Sequence, residues 1–287
     1  MSFPARRDAN RTGAAGLSQE AMPPSFRMLG PLDLRDTAGR AVCVRRRKQR
    51  ALLALLLIRT GRTVSTDEII DALWDGCPPR SALANLHTYV SQLRHVLSRA
   101  VPGAARRPTT TTGGYRLDVG PTEYDVVLFE HLAAAGRRSL ADGRPGEAAE
   151  RLARALRLWQ GRPLEDLEPY GWIRPFTARL EQARLAVLED RAEARLLLGQ
   201  HAELAVELAV TVEEHPLREP LWRQYLLALQ GAGRRNDAMR AYDRLRRAMY
   251  VELGVEPDPT LRELHRRIRC GEPGARPPLR TGGSAAA

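Results

Sequence analysis

The chain has 287 residues, 43% of them hydrophobic and 28% charged, which gives room for two ordinary domains and a composition unlike that of disordered or fibrous chains. Its longest apolar run, Ala51 to Ile58, is far shorter than the ~20 residues that cross a bilayer, and Met1 to Pro24 lacks the continuous apolar region of an export signal, so a cytoplasmic protein with no membrane span is expected. The net charge of +11 is unevenly spread: Ser25 to Gly120 hold 16 Lys or Arg against 7 Asp or Glu, whereas Pro121 to Cys270 hold 24 against 24. A GC-rich genome would enrich arginine uniformly. The asymmetry instead predicts a basic unit that meets a polyanion joined to a neutral unit that does not.

In chain order, Phe26 to Leu34 alternates with period two around Gly30-Pro31, and Ala41 to Val44 is a second β-prone stretch, so a small antiparallel sheet is expected first. Arg47 to Arg59 predicts a helix with the apolar stripe Leu52, Leu53, Leu56 and Leu57, stopped by Gly61. Ser65 and Glu68 form a capping box opening a short helix that buries Ile69, Ile70, Leu73 and Trp74. Ser81 to Ser98 predicts a longer helix, with Leu86, Val90, Leu93 and Leu97 on one face. Thr109 to Thr112 and Tyr115 to Val119, separated by Gly113 and Gly114, predict a hairpin. Sheet, three helices and hairpin, in that order, describe a winged helix-turn-helix.

From Asp125 onward the pattern is helical. Three joints look alike, at Gly143, Gly199 and Gly233, each with an acid four residues later (Glu147, Glu203, Asp237) where it favours the positive end of the next helix. The last two glycines are 34 residues apart, the period of tetratricopeptide repeats, and the longer first interval implies an insertion, Gly161 to Pro175. The fold class is therefore mainly α, a winged helix followed by tetratricopeptide-like helices. The expected divisions are a disordered tail at 1–24, a DNA-binding unit at 25–120, a helical unit at 121–270 and a second disordered tail at 271–287.

In a helix-turn-helix the second helix enters the major groove. With Leu86, Val90, Leu93 and Leu97 inward, Ala84, Thr88, Ser91 and His95 point outward, flanked by Asn85, Tyr89, Gln92 and Arg94. Asn and Gln pair with adenine, Arg with guanine or phosphate, Thr with a thymine methyl and Tyr with phosphate. Arg45, Arg46, Arg47, Lys48 and Arg50 make a positive cluster at a helix N-terminus, where the macrodipole opposes them, and so are candidates for phosphate contact. Catalytic motifs such as GxxxxGK[ST], HExxH and GxSxG are absent, the six histidines are scattered, and Cys43, Cys77 and Cys270 form no metal-ligand spacing, so no enzyme, cofactor or metal site is expected. Trp159, Trp172 and Trp222 read as repeat core.

The run from Arg50 to Leu97, with Val64-Ser65-Thr66-Asp67-Glu68, Leu73-Trp74, Pro78-Pro79-Arg80 and Tyr89-Val90-Ser91-Gln92-Leu93-Arg94, then Gly114-Tyr115-Arg116-Leu117, resembles an OmpR-type winged helix. The stretch from Tyr124-Asp125 through Leu158-Trp159-Gln160-Gly161 to Leu253-Gly254-Val255-Glu256-Pro257-Asp258-Pro259 resembles a bacterial transcriptional activation domain. Together they resemble the Streptomyces antibiotic regulatory protein family. That resemblance implies a nucleoid-associated activator of a biosynthetic gene cluster that binds direct repeats near the promoter −35 element as a homodimer and engages RNA polymerase, including its sigma subunit. By the same likeness Thr88, Tyr89, Gln92 and Arg94 fall where the OmpR type contacts DNA, and the loop Asp75 to Arg80, with Asp75, Gly76 and Arg80, falls where that type meets polymerase; with the face and charge readings above, the expected DNA contacts are these four together with Arg46, Arg47, Arg80, Asn85, Ser91, His95, Thr111 and Arg116. Many wings carry a basic residue before the Gly-Tyr turn, but this one carries Thr109 to Thr112, leaving Arg106, Arg107 and Arg116 to supply charge. The alternative is a helical-repeat scaffold without specific DNA binding, from which DNA affinity separates it.

Overall fold

The computed structural model describes residues 25–101 and 107–272; the expected tail at 1–24, residues 273–287 of the second and Arg106 lie outside the described residues, while Gly271 caps the last helix and Glu272 pairs with Arg266 and Arg267. Strands β1 (Phe26–Arg27) and β2 (Asp33–Leu34) pair antiparallel, Phe26 opposite Leu34. Both come from the first alternating stretch. Ala41 to Val44 is not the expected partner strand and contributes only an isolated bridge from Ala41 to Arg35, because Gly30-Pro31 already turns the chain back on itself.

Helices α1 (Arg47–Ile58), α2 (Thr66–Trp74) and α3 (Ala82–Ala100) follow, interrupted by β3 (Thr63–Ser65) and closed by the hairpin β4 (Thr109–Thr111) and β5 (Gly114–Arg116). The sheet order is β3-β5-β4, antiparallel throughout, with Val64 opposite Tyr115. Ser65 ends β3 and caps α2, its Oγ accepting from the Glu68 amide at 3.1 Å. The reciprocal half of the capping box is replaced by an ion pair from Glu68 to Arg59 at 3.4 Å. Ser65→Ala should therefore cost about 1 kcal/mol, the usual worth of an N-cap side chain, read as a lowered urea midpoint; an unchanged midpoint would mean that the β3–β5 pairing alone holds the start of α2.

The stripe expected on α1 proves too narrow, since every residue from Ala51 to Leu57 is buried. One side packs on α3 and the other on the helical half of the chain. That half comprises α4 (Asp125–Ala141), α5 (Pro145–Leu156), two 3-10 turns (Glu165–Leu167 and Gly171–Ile173), α6 (Arg174–Leu197), α7 (His201–Glu214), α8 (Glu219–Gly231), α9 (Arg235–Leu253) and α10 (Pro259–Cys270). Gly143, Gly199 and Gly233 occupy left-handed backbone at the three joints, and Glu147, Glu203 and Asp237 fall in the first turns that follow.

The described residues hold two apolar cores. The first runs without a break from Phe26 and Met28 through the winged helix to Tyr124, Phe129, Leu152 and Leu167. The second lies under α7 to α10, around Trp222, Leu226 and Leu245. The 24-residue helix α6 is their common wall: Leu180, Val187 and Ala194 face the first core, Leu185, Ala192 and Leu196 the second. Spacings of seven residues in the first set, and of seven and four in the second, keep each on one side.

The bend between β1 and β2 is the seam of the first core. Met28 and Leu29 amides donate to the buried Asp125 carboxylate at 2.8 to 2.9 Å, and Leu32 donates to Asp166 at 2.8 Å. Nearby carbonyls are taken too, Leu29 by the Gln160 amide and Gly30 by the Leu164 amide, both at 2.7 Å. Gly30 is needed for this approach, because a Cβ there would lie 3.2 Å from the Gln160 backbone. No described helix is long and apolar enough to cross a membrane.

Candidate nucleic-acid interface

The expected inward face of α3 is the observed one, with Leu86, Val90, Leu93 and Leu97 all buried. Opposite them Ala84, Thr88, Ser91 and His95 are exposed, and His87 with them. Thr88 returns its hydroxyl to the Ala84 carbonyl at 3.0 Å, which leaves its methyl and its oxygen lone pairs outward. Ser91 and His95 continue the row one and two turns on.

The flanking residues are more occupied than their spacing suggests. Asn85 donates to Ser81 Oγ at 3.1 Å. Tyr89 is half-buried and stacks on Trp74, centroids 6.3 Å apart. Gln92 accepts a bond from Gln49 of α1, so one lone pair of its carbonyl is spent inside while its amide donors stay outward. Arg94 reaches the wing, with Nε on the Pro108 carbonyl and Nη2 on Thr110 Oγ1, both at 2.8 Å. It braces α3 against β4 in addition to lying beside the reading face.

The basic cluster on α1 divides. Arg45, Arg46 and Arg47 are exposed, and Arg47 lies over the Tyr170 ring at 5.3 Å. Lys48 and Arg50, grouped with them on sequence grounds as phosphate contacts, are turned inward instead. Lys48 donates to the Leu73 carbonyl at 2.6 Å and covers Trp74 at 4.6 Å; burial, then the neighbouring Arg47 charge, hold its ammonium below the usual lysine range. Arg50 grips Asp166, Nη2 at 2.6 Å, and the Leu32 carbonyl. A cation with a carboxylate and a carbonyl already in its fork has little left for phosphate.

On the wing, Arg116 is exposed but bound through Nε and Nη2 to Asp118 at 2.8 to 3.0 Å. Arg107, half-buried, pairs with Glu123 at 2.8 Å. Thr111 Oγ1 is buried and has no hydrogen-bond partner among the described residues. The wing tip is tied to α2 by the Thr66 amide on the Gly113 carbonyl at 3.0 Å. The loop between α2 and α3 is exposed from Asp75 to Arg80. Asp75 and Gly76 both take left-handed backbone there, φ 52° and 75°. Beside it a cleft of about 900 Å³ opens between α1–α2 and α6, lined in part by Asp71, Asp75, Trp172 and Phe176.

Trp172 departs from its expected place in the repeat core. Its Nε1 donates to the Ala72 carbonyl at 2.9 Å, docking the insertion on α2. Trp222 does lie in the repeat core, and Trp159 is half-buried against Phe129. Among the described residues no group of three or more His, Cys, Asp or Glu could hold a metal ion.

Comparison with known proteins decides what this architecture is. Residues 43–117 match the family described as transcriptional regulatory protein, C terminal, and residues 124–269 match the bacterial transcriptional activator domain. The chain is 40% identical over 252 residues to the regulatory protein DnrI of Streptomyces peucetius, spanning 86% of this chain and 92% of that one. The chain belongs to the Streptomyces antibiotic regulatory protein family. The chain is also 38% identical over 268 residues to the regulatory protein AfsR of Streptomyces coelicolor, spanning 93% of this chain but 26% of that one. The solved structure of Mycobacterium tuberculosis EmbR in complex with a low affinity phosphopeptide superposes with a TM-score of 0.82 at 37% identity, over 87% of this chain and 65% of that one. The chain is thus a transcriptional regulator with an OmpR-type winged helix and a helical bacterial transcriptional activator domain.

Asp125, Asp166, Gln49 and Trp172 are the positioning residues that the sequence does not announce. A helix-opening aspartate and an acid in a Pro-rich insertion are the signals they leave, and neither names its partner.

Proposed function

We propose that this regulator binds promoter DNA sequence-specifically, with α3 in the major groove, and activates a secondary-metabolite gene cluster, as the name of the family suggests. Ser91, His95, Thr88 and the amide donors of Gln92 read base edges; Arg46, Arg47 and Arg80 rest on phosphate. Asn85, Tyr89, Arg94, Thr111 and Arg116 border the same surface and act chiefly by shaping it. Two copies occupy direct repeats, and the loop carrying Asp75, Gly76 and Arg80 meets RNA polymerase, sigma subunit included. Residues 25–120 are the DNA-contacting unit and 121–270 the partner-contacting unit. The observation that carries this reading is the outward row Thr88, Ser91 and His95 opposite the buried Leu86, Val90, Leu93 and Leu97, in the third of the chain that holds the whole charge excess apart from the two tails.

The test is mobility shift on promoter fragments from the protein's own genomic neighbourhood, with competitor DNA at two salt concentrations. Arg46→Ala should weaken binding alike on all sequences and lower the salt slope by about one. Gln92→Ala and Ser91→Ala should instead erode discrimination, by about 1–3 kcal/mol where a good base contact is lost. Arg94→Ala should lower affinity and melting temperature together. Absence of any competitor-resistant shift would favour the scaffold reading.

A further inference from the structure

The cleft between α1–α2 and α6 lies on the seam of the winged helix with the helical half. Its volume of about 900 Å³ falls within the range of about 300–1,000 Å³ usual for small-molecule sites, which favour junctions of this kind. Part of its lining is apolar. Leu55 and Ile58 contribute from α1, and Trp172, Pro175 and Phe176 from the start of α6 and the turn before it. The bond from Trp172 Nε1 to the Ala72 carbonyl at 2.9 Å fixes that ring against α2, so an aromatic surface is in place before any ligand arrives.

The α2 side of the lining is acidic. Glu68, Asp71 and Asp75, spaced by three and four residues, share one face of that helix. Glu68 is answered by Arg59 at 3.4 Å. The other cation of the lining, Arg179, is drawn to Glu130 at 2.6 Å and lies over the Phe176 ring at 5.4 Å. Asp71 and Asp75 keep carboxylates with no ion pair or side-chain hydrogen bond among the described residues. Helix stability does not explain them, because they occupy the last turn and the C-cap of α2, where the macrodipole disfavours negative charge.

Two unspent carboxylates beside a fixed aromatic surface, in one cleft, match a cation with an apolar body. We infer that the cleft binds a small amphipathic cation, an aromatic ring system seated on Trp172 and Phe176 with its protonated amine at Asp71 and Asp75. Burial of the rings supplies the affinity, and the carboxylates choose the sign of the charge. Bound there, the ligand covers Asp75 and Gly76 and competes with the polymerase contact, a consequence that rests on the proposed function.

The test titrates the full chain, without DNA or polymerase, with three probes that share one ring: anthracenylmethylamine, anthracenylmethanol and anthracenecarboxylate. Energy transfer from tryptophan to anthracene reads the binding. The amine should bind at least tenfold more tightly than the alcohol and the carboxylate most weakly, although a net charge of +11 by itself attracts the anion. Asp71→Asn/Asp75→Asn, at exposed positions, should abolish the preference for the amine and leave the affinity of the alcohol unchanged. Phe176→Ala should weaken both. A doubly substituted chain that melts like the wild type and still prefers the amine overturns the proposal, as does a wild type that binds amine and alcohol alike or binds no amine at millimolar concentration. Tight binding of a lysine-rich peptide where the amine fails would assign the cleft to a protein partner instead. Failure to bind any promoter would sink the DNA reading and leave the ligand site standing.

Discussion

Asp125→Ala is expected to destabilise the protein by about 2–5 kcal/mol, because it strands the buried Met28 and Leu29 amides, and a buried donor left unmade costs about 1–3 kcal/mol. The carboxylate receives three bonds from these two amides, in a core that closes over Phe26, Met28 and Tyr124 and shields them from bulk solvent. Urea unfolding should show the loss, and hydrogen exchange should quicken at the Met28 and Leu29 amides. Protection there equal to the wild type would mean that the seam is held by Gln160, Leu164 and Asp166 alone.

The same group gives the protein a pH dependence of defined sign. Burial pushes the Asp125 carboxyl from 3.8 up to about 7, against the Leu29, Met28 and Val126 amides and the Arg27 charge, which hold it down. Its folded value is thus raised, so this group's contribution is complete below about pH 4 and is lost as the pH rises through about 7. The side-chain amide introduced by Asp125→Asn does not titrate. The stability of the wild type relative to Asp125→Asn should therefore decline between about pH 4 and pH 7, and a difference independent of pH would show that the amide donors outweigh burial.

The second large effect is expected at Gly114. A Cβ there would lie 2.0 Å from the Val64 carbonyl oxygen and 2.9 Å from Ser65 Cα, both backbone atoms, so β3 and β5 must part. Gly114→Ala should cost roughly 3 kcal/mol, the upper range for overpacking, and should lower DNA affinity at least tenfold by detaching the wing. Its neighbour is the control. Gly113 has open space around it but a φ of 83°, so Gly113→Ala should cost only the ~1–2 kcal/mol of left-handed strain. Equal effects from the two substitutions would contradict the close approach of β5 to β3.

What could be read in advance depended on whether a pattern is local. The spacing of Leu86, Val90, Leu93 and Leu97 determines a face within one helix, and that face is the buried one. Gly143, Gly199 and Gly233 mark joints because only the residues beside them decide the turn. Asp125 is different: its partners are backbone amides 96 and 97 residues away, and every residue but proline offers the same amide. Arg50 looked like its neighbours Arg46 and Arg47, and what sets it apart is Asp166 in the insertion. The burial of α1 on all sides misled for the same reason, since part of its cover arrives from beyond residue 120. On α3 the outward row was legible, but the bonds from Arg94 to the wing and from Gln49 to Gln92 depend on how distant segments pack.

The unbroken first core bears on how the molecule would present itself along a promoter. A reader joined to its arm by a slack linker could place that arm at any angle around the double helix. Here α1 lies between α3 and the insertion, with Arg50, Trp172 and Asp125 fastening the join, so the helical arm would have a fixed azimuth once α3 sat in the groove as proposed. Where the arm pointed would then be a matter of phase, repeating with each ~10.5 base pairs of DNA between one seat and the next.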